Sequence, residues 1–157
     1  MTRATGRSKV DVVLLDAAWG KALPGVERLV RKAARAALGV RVRSLTVALS
    51  DDRRVQALNK RDRKKDKPTN VLSFPAFPVE VGGKVPPMLG DIVLAAETVA
   101  REAELEGKPL EHHISHLVIH GLLHLLGHDH EDDGDAEAME AIERSALARL
   151  AIPDPYA

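Results

Sequence analysis

All seven histidines of this chain fall between His112 and His130. Histidines scattered for packing would not concentrate so tightly, so the cluster calls for a chemical reason. His120 and His124 are one helical turn apart and project from one face, where two imidazoles can share one metal ion. Gly127 suits the left-handed conformation that ends a helix and turns the chain back. His130 can then return as a third ligand. Three protein ligands plus water is the arrangement of a catalytic zinc rather than a structural one. The expected cofactor is one Zn2+ ion held by His120, His124 and His130, although imidazole also accepts nickel or copper. Cysteine is absent, which excludes disulfides and thiolate ligation.

The offsets match the metzincin signature H-E-x-x-H-x-x-G-x-x-H at every ligand and at the glycine. The departure is Gly121, where those peptidases carry their general-base glutamate. The metal cage is present and the peptidase base is missing. Metal-assisted hydrolysis of something other than a peptide bond follows, or a base from elsewhere. His116, one turn before His120, either orients a ligand or substrate or simply packs. Asp129 is a candidate acceptor for an imidazole N–H. His128 falls too early for the template and reads as packing or support, and His112 and His113 read as surface residues. Leu122, Leu123, Leu125 and Leu126 bury the helix and keep the site rigid.

The rest of the chain supplies one α/β (α+β) domain, residues 9–157, behind a flexible tail of residues 1–8. Strands are expected over Val10–Leu15, Val40–Leu49, Asn70–Phe74 and Asp91–Leu94, from their apolar alternation or β-branched runs. Helices are expected over Pro24–Leu38, Asp52–Lys60, Ala95–Glu106, Pro109–Leu126 and Asp135–Leu150. Ser50-Asp51-Asp52 offers an N-cap, and Gly39 and Gly107 offer C-terminal stops. The result is a mixed sheet of about four strands packed by about five helices, with the metal site on a helix and the loop after it. No stretch approaches the roughly 20 apolar residues that span a bilayer. Residues 1–9 lack a signal peptide's apolar core, so a cytoplasmic protein is expected.

Net charge is zero, yet the first 70 residues carry 18 Lys/Arg against 7 Asp/Glu, and the remainder carries 5 against 16. Either the halves neutralise each other within one domain, or the first half feeds a basic surface beside the metal site. The second alternative suits a polyanion, because phosphate neutralisation dominates nucleic-acid affinity. Trp19, Phe74 and Phe77 are too few to argue a base-stacking platform. Residues 61–68, Arg-Asp-Arg-Lys-Lys-Asp-Lys-Pro, form a charged stretch read as a loop.

Residues 120–130 closely resemble the YbeY-type endoribonuclease motif H-G-x-L-H-L-x-G-[YH]-D-H. Arg63-Lys64-Lys65-Asp66-Lys67-Pro68-Thr69-Asn70-Val71-Leu72-Ser73-Phe74-Pro75 resembles that family's second signature, and Leu89-Gly90-Asp91-Ile92 its third. Three blocks in order span about residues 58–135. The resemblance implies a single-domain α/β fold with zinc on His120, His124 and His130. It implies single-strand-specific endoribonuclease activity in ribosomal RNA maturation, notably at the small-subunit RNA 3′ end, and in ribosome quality control. Ribosomal RNA and ribosome or small-subunit proteins are the implied partners. It marks Arg63 as functionally important, and Arg63 and His124 are the expected catalytic pair. Arg63 can meet a phosphate bidentately. Lys64, Lys65 and Lys67 become candidate RNA-backbone contacts. The general base stays open between a zinc-activated water and the RNA's own 2′-hydroxyl. Two rivals remain: a metallopeptidase-like or other metal-dependent hydrolase, and a non-catalytic metal-binding ribosome assembly factor.

Overall fold

The computed structural model describes residues 6–157. Its elements are β1 (Lys9–Leu14), α1 (Ala18–Ala22), α2 (Val26–Leu38), β2 (Ser44–Ser50), α3 (Asp52–Arg63), β3 (Val71–Pro75), β4 (Met88–Ala95), α4 (Ala96–Glu106), α5 (Leu110–Leu125) and α6 (Asp133–Arg149). The four strands lie in the order β1-β2-β4-β3, with only β3 antiparallel to its neighbour. The mixed sheet and single domain are as expected from sequence, with six helices in place of five.

The differences have local causes. The extra helix, α1, is nucleated where Asp16 Oδ1 accepts from the Ala18 N–H. It is pinned by the buried Trp19, whose indole N–H donates to the Ser50 carbonyl at 2.8 Å. Trp19 is therefore not a stacking surface. β2 starts at Ser44 rather than at residue 40, because Val40 is fully exposed and Val42 is exposed. Of the expected tail, residues 1–5 lie outside the described residues. Ser8 is buried, its hydroxyl donating to the Arg41 carbonyl and accepting from the Arg43 N–H.

α5 is buried almost all round, as a helix apolar on most faces must be. Ile114, Val118, Ile119, Leu122, Leu123 and Leu125 are fully enclosed between the sheet, α2 and α6. Each such side chain contributes roughly 1.5–3 kcal/mol by leaving water, which fixes the axis on which the histidines ride. His116, His120 and His124 form the less enclosed stripe. Where α5 crosses β3 and β4, a side chain at Gly121 would meet Ile92 Cγ2 at 3.0 Å, Ser73 Oγ at 3.2 Å and Val71 Cγ2 at 3.3 Å. Position 121 faces the sheet. The Ser73 hydroxyl completes the crossing by donating to the Gly121 carbonyl at 2.9 Å.

On the opposite face of the sheet, α3 covers a smaller cluster of Val55, Leu72, Val93 and Ala95. Its N-cap is Asp51, which accepts from the Arg54 N–H at 2.8 Å. The helix continues through the charged stretch to Arg63, so Arg63 stands on a last helical turn and not in a loop. Among the described residues no helix is long and apolar enough to cross a membrane.

Candidate metal centre

The end of α5 builds the site. The Gly127 N–H donates to the His124 carbonyl and the His128 N–H to the Leu123 carbonyl, both at 3.0 Å. That pair of bonds is a Schellman motif, with Gly127 in the left-handed position at φ 95°. The tight turn also brings Gly127 against the Val79 carbonyl, which a Cβ would approach to 2.4 Å. Glycine is required there twice over. The turn carries the His128 carbonyl back onto His124 Nδ1 at 2.9 Å and swings His130 over the helix end. One nitrogen from each of His120, His124 and His130 lies within 4.8 Å of the others.

These donors fit a metal ion. His124 Nδ1 can only donate to a carbonyl, and His120 Nδ1 lies 3.3 Å from the Glu143 carboxylate. Both rings thus present bare Nε2 lone pairs, which approach each other to 3.1 Å. Two facing lone pairs repel unless a cation lies between them. Around a tetrahedral ion with bonds of roughly 2.0–2.1 Å, ligand nitrogens stand about 3.3 Å apart. Burial, then the neighbouring His120 and His130, lower the His124 pKa to about 4, so its lone pair is free at neutral pH. The three imidazoles thus offer a ligand set suited to one ion.

Glu143 on α6 is the residue sequence reasoning missed. It is buried, and its carboxylate also takes His116 Nε2 at 2.6 Å and the Tyr156 hydroxyl at 2.8 Å. Burial acts to raise its pKa, but the hydrogen bonds from His116 and His120 prevail and hold it at about 2. A charged carboxylate therefore orients His120 from behind, the arrangement that fixes a ligand's tautomer and raises its basicity. The signal was present: Glu143 interrupts the apolar stripe of Met139, Ile142 and Ala146, where an unpaired carboxylate is costly. Glu143→Gln should weaken metal affinity about 10–100-fold with the fold intact, read by chelator competition. Unchanged affinity would remove Glu143 from the site.

The other expected residues sort as follows. His116 is directed at Glu143, which it shares with His120, and does not line the cleft. Asp129 Oδ1 accepts the His130 N–H at 2.7 Å and lies 3.8 Å from His130 Nδ1, close to the ligand it was expected to support. His113, expected at the surface, is instead buried and bonded to Glu102 at 2.9 Å. His128 is half-buried, and burial followed by Arg41 lowers its pKa.

In front of the histidines opens a cleft of about 1030 Å3, which Arg63, Lys65, Lys67, His120, His124 and His130 all line. The basic stretch thus meets the three convergent histidines despite 52 or more residues of intervening chain. One Arg63 guanidinium nitrogen donates to the Ser73 carbonyl at 3.0 Å, and the group lies 5.9 Å from the centre of the Phe74 ring. Ser73 therefore ties Arg63 and the metal helix to one strand. Lys64 departs from expectation: it caps α3 in the left-handed region, φ 57°, and does not line the cleft. The loop beyond it is held by the buried Asn59, whose amide donates to the Lys67 carbonyl at 2.9 Å.

The chain is 51% identical over 155 residues to the Endoribonuclease YbeY of Azorhizobium caulinodans, covering 95% of this chain and 96% of that protein. It is 58% identical over 115 residues to the Endoribonuclease YbeY of Rhodopseudomonas palustris, covering 72% of this chain and 68% of the relative. The solution structure of TM1509 from Thermotoga maritima shares the fold, with a TM-score of 0.54 at 23% identity, covering 90% of this chain and 91% of that one. The family model described as Endoribonuclease YbeY matches residues 16–151. This chain belongs to the YbeY endoribonuclease family.

Proposed function

We propose that this protein is a zinc-dependent endoribonuclease that cuts single-stranded RNA. Its work would be ribosomal RNA processing in the cytoplasm, at the small-subunit RNA 3′ end and in ribosome quality control. The observation that carries this reading is the common cleft of the three convergent imidazoles and the Arg63 guanidinium. Family membership supports the RNA substrate, and the resemblance of the sequence motifs suggests ribosome or small-subunit proteins as partners.

His120, His124 and His130 would hold the ion. The chemistry zinc supplies when bound is Lewis-acid stabilisation of charge on a phosphoryl oxygen, together with water made nucleophilic near neutral pH. Arg63 is held on one side by the Ser73 carbonyl and keeps further N–H groups for a phosphate, where bidentate bonds stabilise developing charge. Lys65 and Lys67 draw the strand in by its backbone and read no sequence. The peptidase alternative is not favoured, because position 121 faces the sheet and no general-base glutamate has room there.

The test is cleavage of single-stranded against duplex RNA by protein of measured metal content. Removal of metal by a chelator should abolish cleavage of the single strand, and zinc should restore it. Undiminished cleavage by metal-free protein, with contaminating nuclease excluded, would overturn the reading. Binding without turnover at full metal loading would favour an assembly factor.

A further inference from the structure

The cleft has a second polar end that the metal chemistry does not use. There Glu102, on α4, lines the same cavity as His120 and His124. The Asn70 amide donates to both its carboxylate oxygens, at 3.0 and 3.3 Å, and the buried His113 donates from Nε2 at 2.9 Å. A carboxylate only accepts, so His113 carries its proton on Nε2. Asn70 is fixed in turn, since its Oδ1 accepts the Val71 N–H at 2.7 Å. Three elements (the start of β3, α4 and the first turn of α5) thus clamp one carboxylate in a set direction.

We propose that Glu102 forms a nucleotide-reading subsite, accepting a hydrogen bond from a base amino group or a ribose 2′-hydroxyl of the bound strand. The inference rests on the reading of this cleft as an RNA site. A clamp serving only Asn70 and His113 could be enclosed, yet the Glu102 side chain keeps 34% of its surface exposed. Lys65 and Lys67 line the same cleft, but among the described residues neither pairs with Glu102, so neither neutralises it. A phosphate placed against this carboxylate is repelled, whereas Arg63 and the lysines attract it. A strand whose backbone follows the basic groups therefore offers Glu102 its hydrogen-bond donors. Both kinds of donor match a fixed acceptor: exocyclic amino groups of bases, and the hydroxyl that distinguishes RNA from DNA.

The experiment compares kcat/KM for a parent single strand with variants altered at one position each around the cut. Inosine for guanosine, purine riboside for adenosine and 2-pyrimidinone riboside for cytidine remove an amino group, and 2′-deoxyribose, at every nucleotide except the one whose 2′-hydroxyl adjoins the scissile phosphate, removes the hydroxyl. The wild-type zinc protein should lose about 10–100-fold at one position, the worth of a hydrogen bond to a charged group. The kind of replacement that causes the loss identifies the donor. Glu102→Gln should cleave the parent strand more slowly by a similar factor and should no longer sense that replacement. Uniform wild-type rates across the set would overturn the subsite alone and leave the nuclease reading standing. So would a Glu102→Gln protein that keeps the wild-type pattern. Should Glu102→Gln fail to fold, Glu102→Asp, which withdraws the carboxylate from the strand, takes its place in the comparison. Failure of the wild type to cleave even the parent strand would overturn the nuclease reading and this subsite with it.

Discussion

His124→Ala should lose bound metal and RNA cleavage together, whereas Arg63→Ala should lose cleavage and keep its metal. His124 supplies one of three converging nitrogens, and its Nδ1 bond to the His128 carbonyl holds the turn that returns His130. Its removal withdraws a ligand and loosens a second. Metal affinity should therefore fall by more than the roughly 10–100-fold that loss of a supporting partner costs. Arg63 is exposed, and among the described residues the one hydrogen bond of its side chain is to a strand carbonyl. Truncation there leaves α5 and its Schellman turn untouched. The expected loss in kcat is about 10^2–10^3-fold, the usual effect of deleting one donor aimed at developing charge. Elemental analysis beside a single-strand cleavage assay separates the two variants. An Arg63→Ala protein that cleaves at the wild-type rate would end the two-part account of the site. So would a His124→Ala protein that retains stoichiometric metal.

The parts of this site that could be read from sequence are those carried by local periodicity. The offsets 120, 124, 127 and 130 state a helix, its stop and a return, and the Schellman turn at Gly127 delivers them. Long-range placement was not legible in the same way. Nothing local to Glu143 says that it faces His120 across a helix pair, although a carboxylate on an apolar stripe gave notice of a buried partner. His113 was misread because histidine is common at surfaces. Only the fold brings Glu102 and Asn70 to its side. The charged stretch 61–68 lacked any apolar residue to mark a helix. α3 nevertheless runs to Arg63, carried by the packing of Val55 and the buried Asn59 earlier in the same helix. Arg63 reaches the cleft from that helix end, with its guanidinium nitrogen on the Ser73 carbonyl, so a helix supplies the orientation that a loop would not.

The comparison with peptidases can be pressed to a direct result: Gly121→Glu should destabilise the protein and confer no peptidase activity. Sequence alone casts position 121 as a missing catalytic group. The structure makes it the point of closest contact between α5 and the sheet, with Ile92, Ser73 and Val71 all within 3.3 Å of a first side-chain carbon. A glutamate there must displace packed strand side chains, at about 1–3 kcal/mol. Its carboxylate must also find a partner in an apolar layer, at a further cost of several kcal/mol. Against a typical stability of roughly 5–15 kcal/mol the sum is severe. A fall in melting temperature of roughly 10 °C or more is expected for a chain of this size. Gly121→Ala separates space from charge. Its methyl group meets the same three neighbours but adds helix propensity worth up to about 1 kcal/mol, so its stability should stay close to wild type. Calorimetric melting of the two variants checks the ranking, and a peptide panel checks the activity. An unshifted Gly121→Glu melt would show that the helix can lift from the sheet, and measurable peptide hydrolysis would show that the side chain reaches the cleft. Either result would restore position 121 as a catalytic vacancy. The expected result makes position 121 a place for a small residue packed on the sheet, with the choice of substrate resting on Arg63 and the basic residues across the cleft.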